Sequence, residues 1–363
     1  GIQPEYQYTY GRQNWFDFVG DEHKAVRNDV GLFDLSSFGK FVIQGQDAEA
    51  ELQRICSADV AVPVGKVVYT QLLNQRGGIE ADLTVTRLTP DKYFLVTPAL
   101  SQARDFNWIR RQIRNDALIT MEDVTSGYGV LSVMGPKSRA LLSHLSNSDF
   151  SNSSFPFGTC QKIEIGYAEA YALRITYVGE LGWELYLPTE FTGPVFDLLK
   201  TAGADFKLRL AGYHALDSLR CEKGYRHWGY DISPADTPLE AGLEFAISFK
   251  KNSDFIGREA LEKQRESGVN KRLIHFLMKD PDPILVHDEP IFRNKQLVGT
   301  TTSGAFGYTL GRSVGMGYVK TLGNYGRAWL EEASYEIELG GKRFAATARV
   351  QPFFDPAHVR VKS

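Results

Sequence analysis

Two distant segments of this 363-residue chain repeat one local pattern. The apolar run 41–45 ends in glycine and leads into a helix-like run at 47–52, and 130–135 leads in the same way into 136–142. Further strand-like runs follow each of these helices. Strands that alternate with helices in this way indicate packed α+β layers. The repeat therefore predicts two related α+β subdomains with a shared cleft between them.

The C-terminal part of the chain has a different character. From about Arg272 onward, short β-like runs alternate with turns rich in glycine and proline, a pattern typical of a small all-β barrel. A chain of this length is expected to form more than one domain. We predict an N-terminal domain over 1–265 and a C-terminal β-barrel domain over 270–363. The predicted fold class is α+β, with two related subdomains and a barrel.

Composition narrows the possible functions. A net charge of −3 argues against a nucleic-acid partner, which would need a basic surface. The three cysteines are widely spaced, and no Cys/His cluster suggests a metal site, so we expect none. No apolar run is long enough to cross a membrane and no signal peptide opens the chain. We expect a cytoplasmic protein, or a mitochondrial-matrix protein if its source is eukaryotic.

The run 69–86 joins a Gly-Gly turn to an alternating strand. Its odd-numbered positions from 79 to 85 are apolar and share one face, because successive side chains on a strand point to opposite sides. Asp82 therefore lies on the other face, although its sequence neighbours are apolar. A carboxylate in apolar surroundings costs free energy unless a cation or hydrogen-bond donors hold it. From this run alone, a solvated strand residue and a functional acid are equally good interpretations.

The same run resembles the folate-site strand of the glycine cleavage T-protein (aminomethyltransferase) family. That family includes the folate-binding C-terminal halves of dimethylglycine and sarcosine dehydrogenases. The resemblance covers nearly the whole chain in the family's order, through the segments 22–27, 31–38, 177–186, 217–224, 302–304, 316–319 and 352–356. It implies the T-protein fold, with a folate cleft between the two subdomains, and tetrahydrofolate as the cofactor.

The resemblance also implies roles for individual residues. Asp82 matches the family's reactive aspartate and is the candidate catalytic residue, since a carboxylate can stabilise a cationic iminium or take a proton. Glu184 matches the pterin-holding glutamate, because one carboxylate can accept hydrogen bonds from two adjacent pterin N–H groups. The alternative for Glu184 is a surface charge. The other candidate folate-binding residues are Tyr69, Ala81, Leu83, Tyr177, Leu185, Tyr186, Arg220 and Phe245.

Several candidates keep a structural alternative. Core packing competes with ligand binding for each aromatic side chain. Arg220 could hold a folate carboxylate or form an internal salt bridge with Glu222 or Asp217. Phe245 stands where the dehydrogenase branch is expected to carry a tyrosine, which predicts one hydrogen bond fewer to folate. Glu180, in the turn before Glu184, is expected to be solvated.

The run 223–231, which contains Tyr-Arg-His-Trp-Gly, resembles the flavin-linked dehydrogenases more than the T-proteins. We therefore predict tetrahydrofolate-dependent one-carbon transfer from an oxidised N-methyl amine such as dimethylglycine or sarcosine, forming 5,10-methylenetetrahydrofolate. No glycine-rich nucleotide loop is present, so FAD is expected only on a separate domain or subunit. The alternatives are a glycine-cleavage aminomethyltransferase and a non-catalytic regulatory module, as in a regulatory subunit of pyruvate dehydrogenase phosphatase.

Overall fold

The computed structural model describes residues 5–9, 11–321 and 326–363. The helices are α1 (Phe16–Asn28), α2 (Ala48–Ile55), α3 (Gln102–Gln112), α4 (Ser138–Leu145), α5 (Thr189–Gly203), α6 (Tyr213–Lys223), α7 (Pro238–Ala241), α8 (Arg258–Ser267), α9 (Arg327–Glu331) and α10 (Val359–Lys362). The strands are β1 (Val30–Asp34), β2 (Gly39–Gln44), β3 (Val67–Leu73), β4 (Ile79–Thr89), β5 (Lys92–Thr97), β6 (Thr120–Asp123), β7 (Tyr128–Met134), β8 (Cys160–Ile165), β9 (Ala168–Leu173), β10 (Gly182–Pro188), β11 (Leu208–Leu210), β12 (Lys271–Met278), β13 (Pro290–Arg293), β14 (Gln296–Gly307), β15 (Arg312–Lys320), β16 (Tyr335–Leu339) and β17 (Lys342–Arg349).

The strands form two open sheets and one closed barrel, which confirms the predicted α+β class. The first sheet has five strands in the order β3-β4-β5-β2-β6, and the second has six in the order β11-β1-β7-β10-β9-β8. Neighbouring strands are antiparallel except for the β1–β11 pair. No helix in the described part of the chain is long and apolar enough to cross a membrane.

The sequence repeat is also a structural repeat. β2 leads into α2 in the first sheet, and β7 leads into α4 in the second. The connecting residues Gly45 and Gly135 have φ values of +145° and +132°. A Cβ would lie 2.2 Å from the Leu118 carbonyl oxygen at the first position and 2.4 Å from that of Asp29 at the second. Both turns therefore require glycine for the same two reasons, backbone conformation and close approach.

The two sheets pack face to face. Val67 and Phe94 of the first sheet and Val130 and Tyr186 of the second belong to one shared buried core. Helices α2 and α3 cover the outer face of the first sheet, and α4 and α5 cover that of the second. Each sheet therefore has an inner face toward the other sheet and an outer face toward helices.

Strand β10 shows how this layering positions polar groups. It lies inside the second sheet and all but its last residue are buried. Because side chains alternate along a strand, Trp183, Leu185 and Leu187 enter the outer core. The side chain of Tyr186 joins the inner core, and Glu184 shares its face. Burial on both sides explains why the strand is almost continuously apolar.

Strands β12 to β17 close into a six-stranded barrel in the order β12-β15-β14-β13-β16-β17. The predicted C-terminal barrel is thus confirmed. Its strand β14 packs against α6, where the Arg220 guanidinium donates a hydrogen bond of 2.8 Å to the Ser303 hydroxyl. Helix α6 therefore connects the barrel to the two facing sheets.

Candidate active site

Asp82 lies on the inner face of β4, as the alternation predicts. Its side chain is partly buried, while the neighbouring Ala81 and Leu83 are buried in the outer core. Its cross-strand partner Gln71 donates a hydrogen bond of 2.9 Å from Nε2 to Oδ1. Burial raises the pKa of the Asp82 carboxyl to about 6, and hydrogen bonding from Gln71 and Tyr69 opposes that rise. The acid is therefore largely ionised at neutral pH but can take up a proton in mildly acidic conditions.

Gln71 is the first functional candidate that the sequence analysis missed. Its side chain is fully buried, and while Nε2 is bonded to Asp82, Oε1 has no hydrogen-bond partner in the described part of the chain. A buried acceptor without a donor costs about 1–3 kcal/mol, so this oxygen is suited to a donor from a ligand or a water molecule. Its position opposite Asp82 depends on a register shift between Leu72 and Leu73, which the sequence pattern does not reveal.

Glu184 occupies the inner face of the second sheet. Only 5 % of its side chain is exposed, and its one hydrogen bond within the described residues comes from the Tyr186 hydroxyl, 2.7 Å from Oε2. Burial raises the pKa of the Glu184 carboxyl to about 7, against the opposing effect of that hydrogen bond. A buried carboxylate with a single donor has room to accept further N–H groups, so the surface-charge alternative does not describe this residue.

The aromatic candidates have different environments. Tyr69 stacks on Phe245 with 6.0 Å between ring centroids, and the side chain of Phe245 is 76 % exposed. The Tyr177 hydroxyl donates to the backbone carbonyl of Arg226 at 2.9 Å, and its ring is only partly buried. Tyr186 is fully buried and packs edge-on against a phenylalanine. Tyr186 is thus a core residue whose hydroxyl holds Glu184, whereas the rings of Tyr69 and Tyr177 retain accessible surface.

Three candidate residues direct their side chains away from the inner faces. Ala81 and Leu83 pack in the outer core of the first sheet, and Leu185 packs in that of the second. The reason is the two-residue period of the strand, which places the neighbours of Asp82 and Glu184 on the opposite face. Only the main chain of these three residues is available to a ligand between the sheets.

Arg220 is committed to internal contacts. Its guanidinium pairs with Asp217 through Nε and Nη2, at 2.6 and 2.5 Å, and with Asp231 through Nη1 at 2.8 Å. The Tyr225 carbonyl and the Ser303 hydroxyl accept the remaining two bonds. Every nitrogen of the guanidinium is therefore engaged by a protein partner. This agrees with the internal salt-bridge alternative.

The expectation that Glu180 is solvated was wrong. Its side chain is 1 % exposed and pairs with Arg27 at 2.9 Å and with Arg360 at 2.8 Å. The turn that carries it is covered by helix α1 and by the C-terminal helix α10, which supply these two arginines. The Glu222 alternative for Arg220 fails for a related reason, because Glu222 pairs with Arg27 at 3.0 Å.

Arg226 is the second candidate residue that the sequence analysis missed. Its positive charge acts on both Asp82 and Tyr69 and lowers the pKa of each, although burial dominates both values. Its side chain bonds to the backbone carbonyls of Ala241 and Gly224. His227, by contrast, contacts the ring of Tyr230, and its imidazole is not paired with a carboxylate of any described residue. No cluster of potential metal ligands occurs among the residues that the structure describes.

Both parts of the chain match models of known protein domains. Residues 3–251 match the GCVT N-terminal domain model, and residues 271–355 match the glycine cleavage T-protein C-terminal barrel domain model. Among curated proteins, the whole chain is 43 % identical to a 4-methylaminobutanoate oxidase (formaldehyde-forming) of Paenarthrobacter nicotinovorans, covering 43 % of that protein. It is 37 % identical to human mitochondrial sarcosine dehydrogenase over 98 % of this chain and 40 % of the relative.

A regulatory protein is similar to the same extent. The mitochondrial pyruvate dehydrogenase phosphatase regulatory subunit of Mus musculus is 37 % identical, over 95 % of this chain and 41 % of its own length. The chain thus spans about two fifths of the length of these relatives. Among solved structures, the glycine cleavage system aminomethyltransferase T from Bartonella henselae has a TM-score of 0.82 and 26 % identity, with 97 % of this chain and 94 % of that chain covered.

Proposed function

The chain belongs to the glycine cleavage T-protein family, and we propose that it transfers a one-carbon unit from an oxidised N-methyl amine to tetrahydrofolate, forming 5,10-methylenetetrahydrofolate. The family is folate-dependent, and the fold is that of an aminomethyltransferase. One observation carries the proposal for this chain: two acids with raised pKa values, Asp82 and Glu184, lie on the inner faces of opposed sheets. Buried acids with perturbed pKa values are typical of functional sites.

The residues of the second sheet fit a reduced pterin. Glu184 is buried and has one donor from the protein, so its carboxylate can accept the N3–H and 2-amino groups that a pterin presents side by side. Tyr186 fixes the orientation of the carboxylate. Tyr177 and Tyr69 offer partly accessible rings against which a flat heterocycle or a benzoyl ring can pack. Glu184 is therefore the proposed binding residue.

Asp82 is the proposed catalytic residue. When bound, tetrahydrofolate supplies the nucleophilic nitrogen that accepts the one-carbon unit. The ionised carboxylate of Asp82 stabilises the cationic iminium of the donor, and its pKa of about 6 suits it to receive the proton released on attack. Gln71 holds Oδ1 and so fixes which carboxylate oxygen is directed toward the reaction.

The proposal for the one-carbon donor is based on the relatives. Their names describe oxidation of sarcosine and of 4-methylaminobutanoate, so we propose an N-methylated amino acid as the source of the one-carbon unit. Its oxidation would take place on an FAD-containing domain or subunit outside this chain, since the chain spans only about two fifths of those relatives.

Two other functions have some support. The match to an aminomethyltransferase T structure favours the glycine-cleavage reaction, and the regulatory-subunit relative favours a non-catalytic module. Calorimetric titration of the purified chain with tetrahydrofolate tests the non-catalytic module, for which no binding is expected. Single-turnover transfer from an N-methylene amino acid, compared with transfer from an aminomethylated carrier protein, distinguishes the proposed reaction from the glycine-cleavage reaction. Folate binding without transfer from the amino acid donor would contradict the proposal.

A further inference from the structure

Two arginines from different domains converge beside the α7 turn. Gly242 follows α7 with φ +73°. A Cβ at this position would lie 2.9 Å from Arg226 Nη2 and 3.3 Å from Arg272 Nη2. Both terminal nitrogens therefore lie against the same backbone position, a close approach that is possible because residue 242 has no side chain. Arg226 comes from the loop after α6, and Arg272 from barrel strand β12.

Neither guanidinium has a carboxylate partner among the described residues. Within the described residues, Arg226 uses three of its five N–H groups, two on the Ala241 carbonyl and one on that of Gly224, which leaves one on each terminal nitrogen. In the same part of the chain, Arg272 donates only to the Leu239 carbonyl. Two adjacent cations without a counter-ion repel each other and retain unused donors. Such a pair is complementary to an anion.

The surrounding charges do not neutralise the pair. Glu244 acts on Arg272 but lies 3.5 Å from Arg265, and Asp231 acts on Arg226 but is bonded to Arg220 at 2.8 Å. The His275 ring is buried nearby, with both nitrogens lacking a partner within the described chain. Its pKa lies well below the usual value, first because of burial and then because of the two arginines. The imidazole is therefore neutral and is no counter-ion.

This cationic pair is next to the proposed reaction centre. The charge of Arg226 acts on Asp82 and on Tyr69, yet no Arg226 nitrogen lies within ion-pair distance of the Asp82 carboxylate. The two charged groups are therefore close enough to influence each other without forming an ion pair. Such an arrangement is suited to a small molecule that carries the opposite charges at its two ends.

We propose that Arg226 and Arg272 form a carboxylate subsite that holds the acid group of the one-carbon donor while its iminium nitrogen lies at Asp82. The inference rests on the proposed function and adds to it the requirement for a zwitterionic donor. A guanidinium pair recognises a carboxylate through charge-assisted, directional hydrogen bonds. An amine without the carboxylate would lose that anchor and would be held less often in a reactive position.

The experiment measures affinity rather than turnover. Sarcosine and 4-methylaminobutanoate serve as carboxylate probes, and dimethylamine serves as the probe without a carboxylate. Dissociation constants come from ligand-observed NMR titration of the purified chain at pH 8, well above the pKa of about 6 of the Asp82 carboxyl in the parent. The variants are Arg226→Gln, Arg272→Gln and Arg272→Lys, and the matched control is Arg343→Gln, an exposed barrel arginine paired with Glu338.

We expect both glutamine variants to weaken the carboxylate probes by about tenfold to a hundredfold, the effect of losing a charge-assisted hydrogen bond. Dimethylamine and the control should be unaffected, and Arg272→Lys should recover part of the loss because the charge is kept. Arg272→Gln removes a single backbone contact, so it remains informative if Arg226→Gln, which removes three bonds, does not fold.

Two results would overturn the subsite. The first is equal affinity of parent and glutamine variants for the carboxylate probes. The second is a selective loss of tetrahydrofolate affinity with unchanged affinity for 6-methyltetrahydropterin, because the arginines would then hold the glutamate tail of folate. Failure of the parent chain to bind tetrahydrofolate at all is a different outcome, since it contradicts the proposed function itself.

Discussion

The two sheets use the same strand-turn-helix unit but hold their acids in different ways. Asp82 of the first sheet is partly exposed, has donors from Gln71 and Tyr69, and titrates at about 6. Glu184 of the second is nearly fully buried, accepts a hydrogen bond from one donor among the described residues, and has a pKa of about 7. The acid with more donors stays charged at neutral pH and is suited to chemistry. The acid with fewer donors needs a ligand to satisfy it and is suited to binding.

The largest difference between the two acids should appear in the transfer rate. Asp82→Ala should reduce single-turnover transfer by about 100-fold or more while tetrahydrofolate affinity stays within about tenfold, because a charge that acts mainly in the transition state affects rate more than binding. Stopped-flow kinetics and calorimetry on the same preparation measure the two quantities. Equal losses of transfer rate and of tetrahydrofolate affinity would make Asp82 a binding residue like Glu184, and the two acids would then not differ in function.

Glu184→Gln should show the opposite pattern. The glutamine NH₂ faces pterin donors, so a buried unmatched pair costs about 1–3 kcal/mol, or roughly a tenfold to hundredfold loss of tetrahydrofolate affinity. The rate at saturating folate should change much less. The matched control is Glu164→Gln on β8, where the side chain is exposed. Unchanged affinity in Glu184→Gln would place the pterin contact elsewhere.

Although Glu184→Gln should weaken tetrahydrofolate binding, it should stabilise the folate-free protein at high pH. The folded-state pKa of Glu184 is raised from 4.5 to about 7, so the folded protein binds this proton more tightly than the unfolded chain. The parent therefore loses stability as pH rises between these values. Without folate, Glu184→Gln should be more stable than the parent at pH 8, by on the order of 2 kcal/mol, and the difference should vanish near pH 4. Urea unfolding at both pH values measures this.

Gln71→Leu should give the smallest effect. It removes the donor to Oδ1 and should raise the pKa of Asp82 further above its ordinary value, because that hydrogen bond favours the charged form. The acidic limb of the pH–rate profile should move to higher pH, with a loss on the order of threefold at pH 6 and little loss at pH 8. A uniform loss at both pH values would indicate a purely structural role for Gln71.

Part of the site could be predicted from the sequence because it depends on local rules. The inward position of Asp82 follows from strand alternation beside the Gly-Gly turn, and the repeat follows from glycine positions that no other residue can occupy. The alternation also determines that Ala81 and Leu185 pack outward, and the resemblance alone did not reveal that. Gln71 is different, because a register shift between Leu72 and Leu73 sets its pairing with Asp82, and the Gly-Gly turn alone does not determine that pairing.

Other features depend on contacts between distant segments. Glu180 is buried because arginines from the first and last helices meet at its turn. Arg220 is saturated because a strand of the barrel supplies one of its acceptors. The arginines that pair with Glu180 and the Ser303 acceptor of Arg220 are distant in the sequence, so these contacts form only when the fold brings the segments together.

The sequence by itself determined the periodicities of this protein: the repeated α+β unit, the C-terminal barrel, and the position of Asp82 on the face opposite the apolar row of β4. Those features depend on backbone geometry and on the spacing of apolar residues. Tertiary structure alone decided how the charges are balanced. Arg226 and Arg272 meet at Gly242, Arg220 finds two acids, and Glu184 finds a single donor. The interaction between two charges depends on the distance between them and on how deeply they are buried, and neither can be read from the order of residues along the chain.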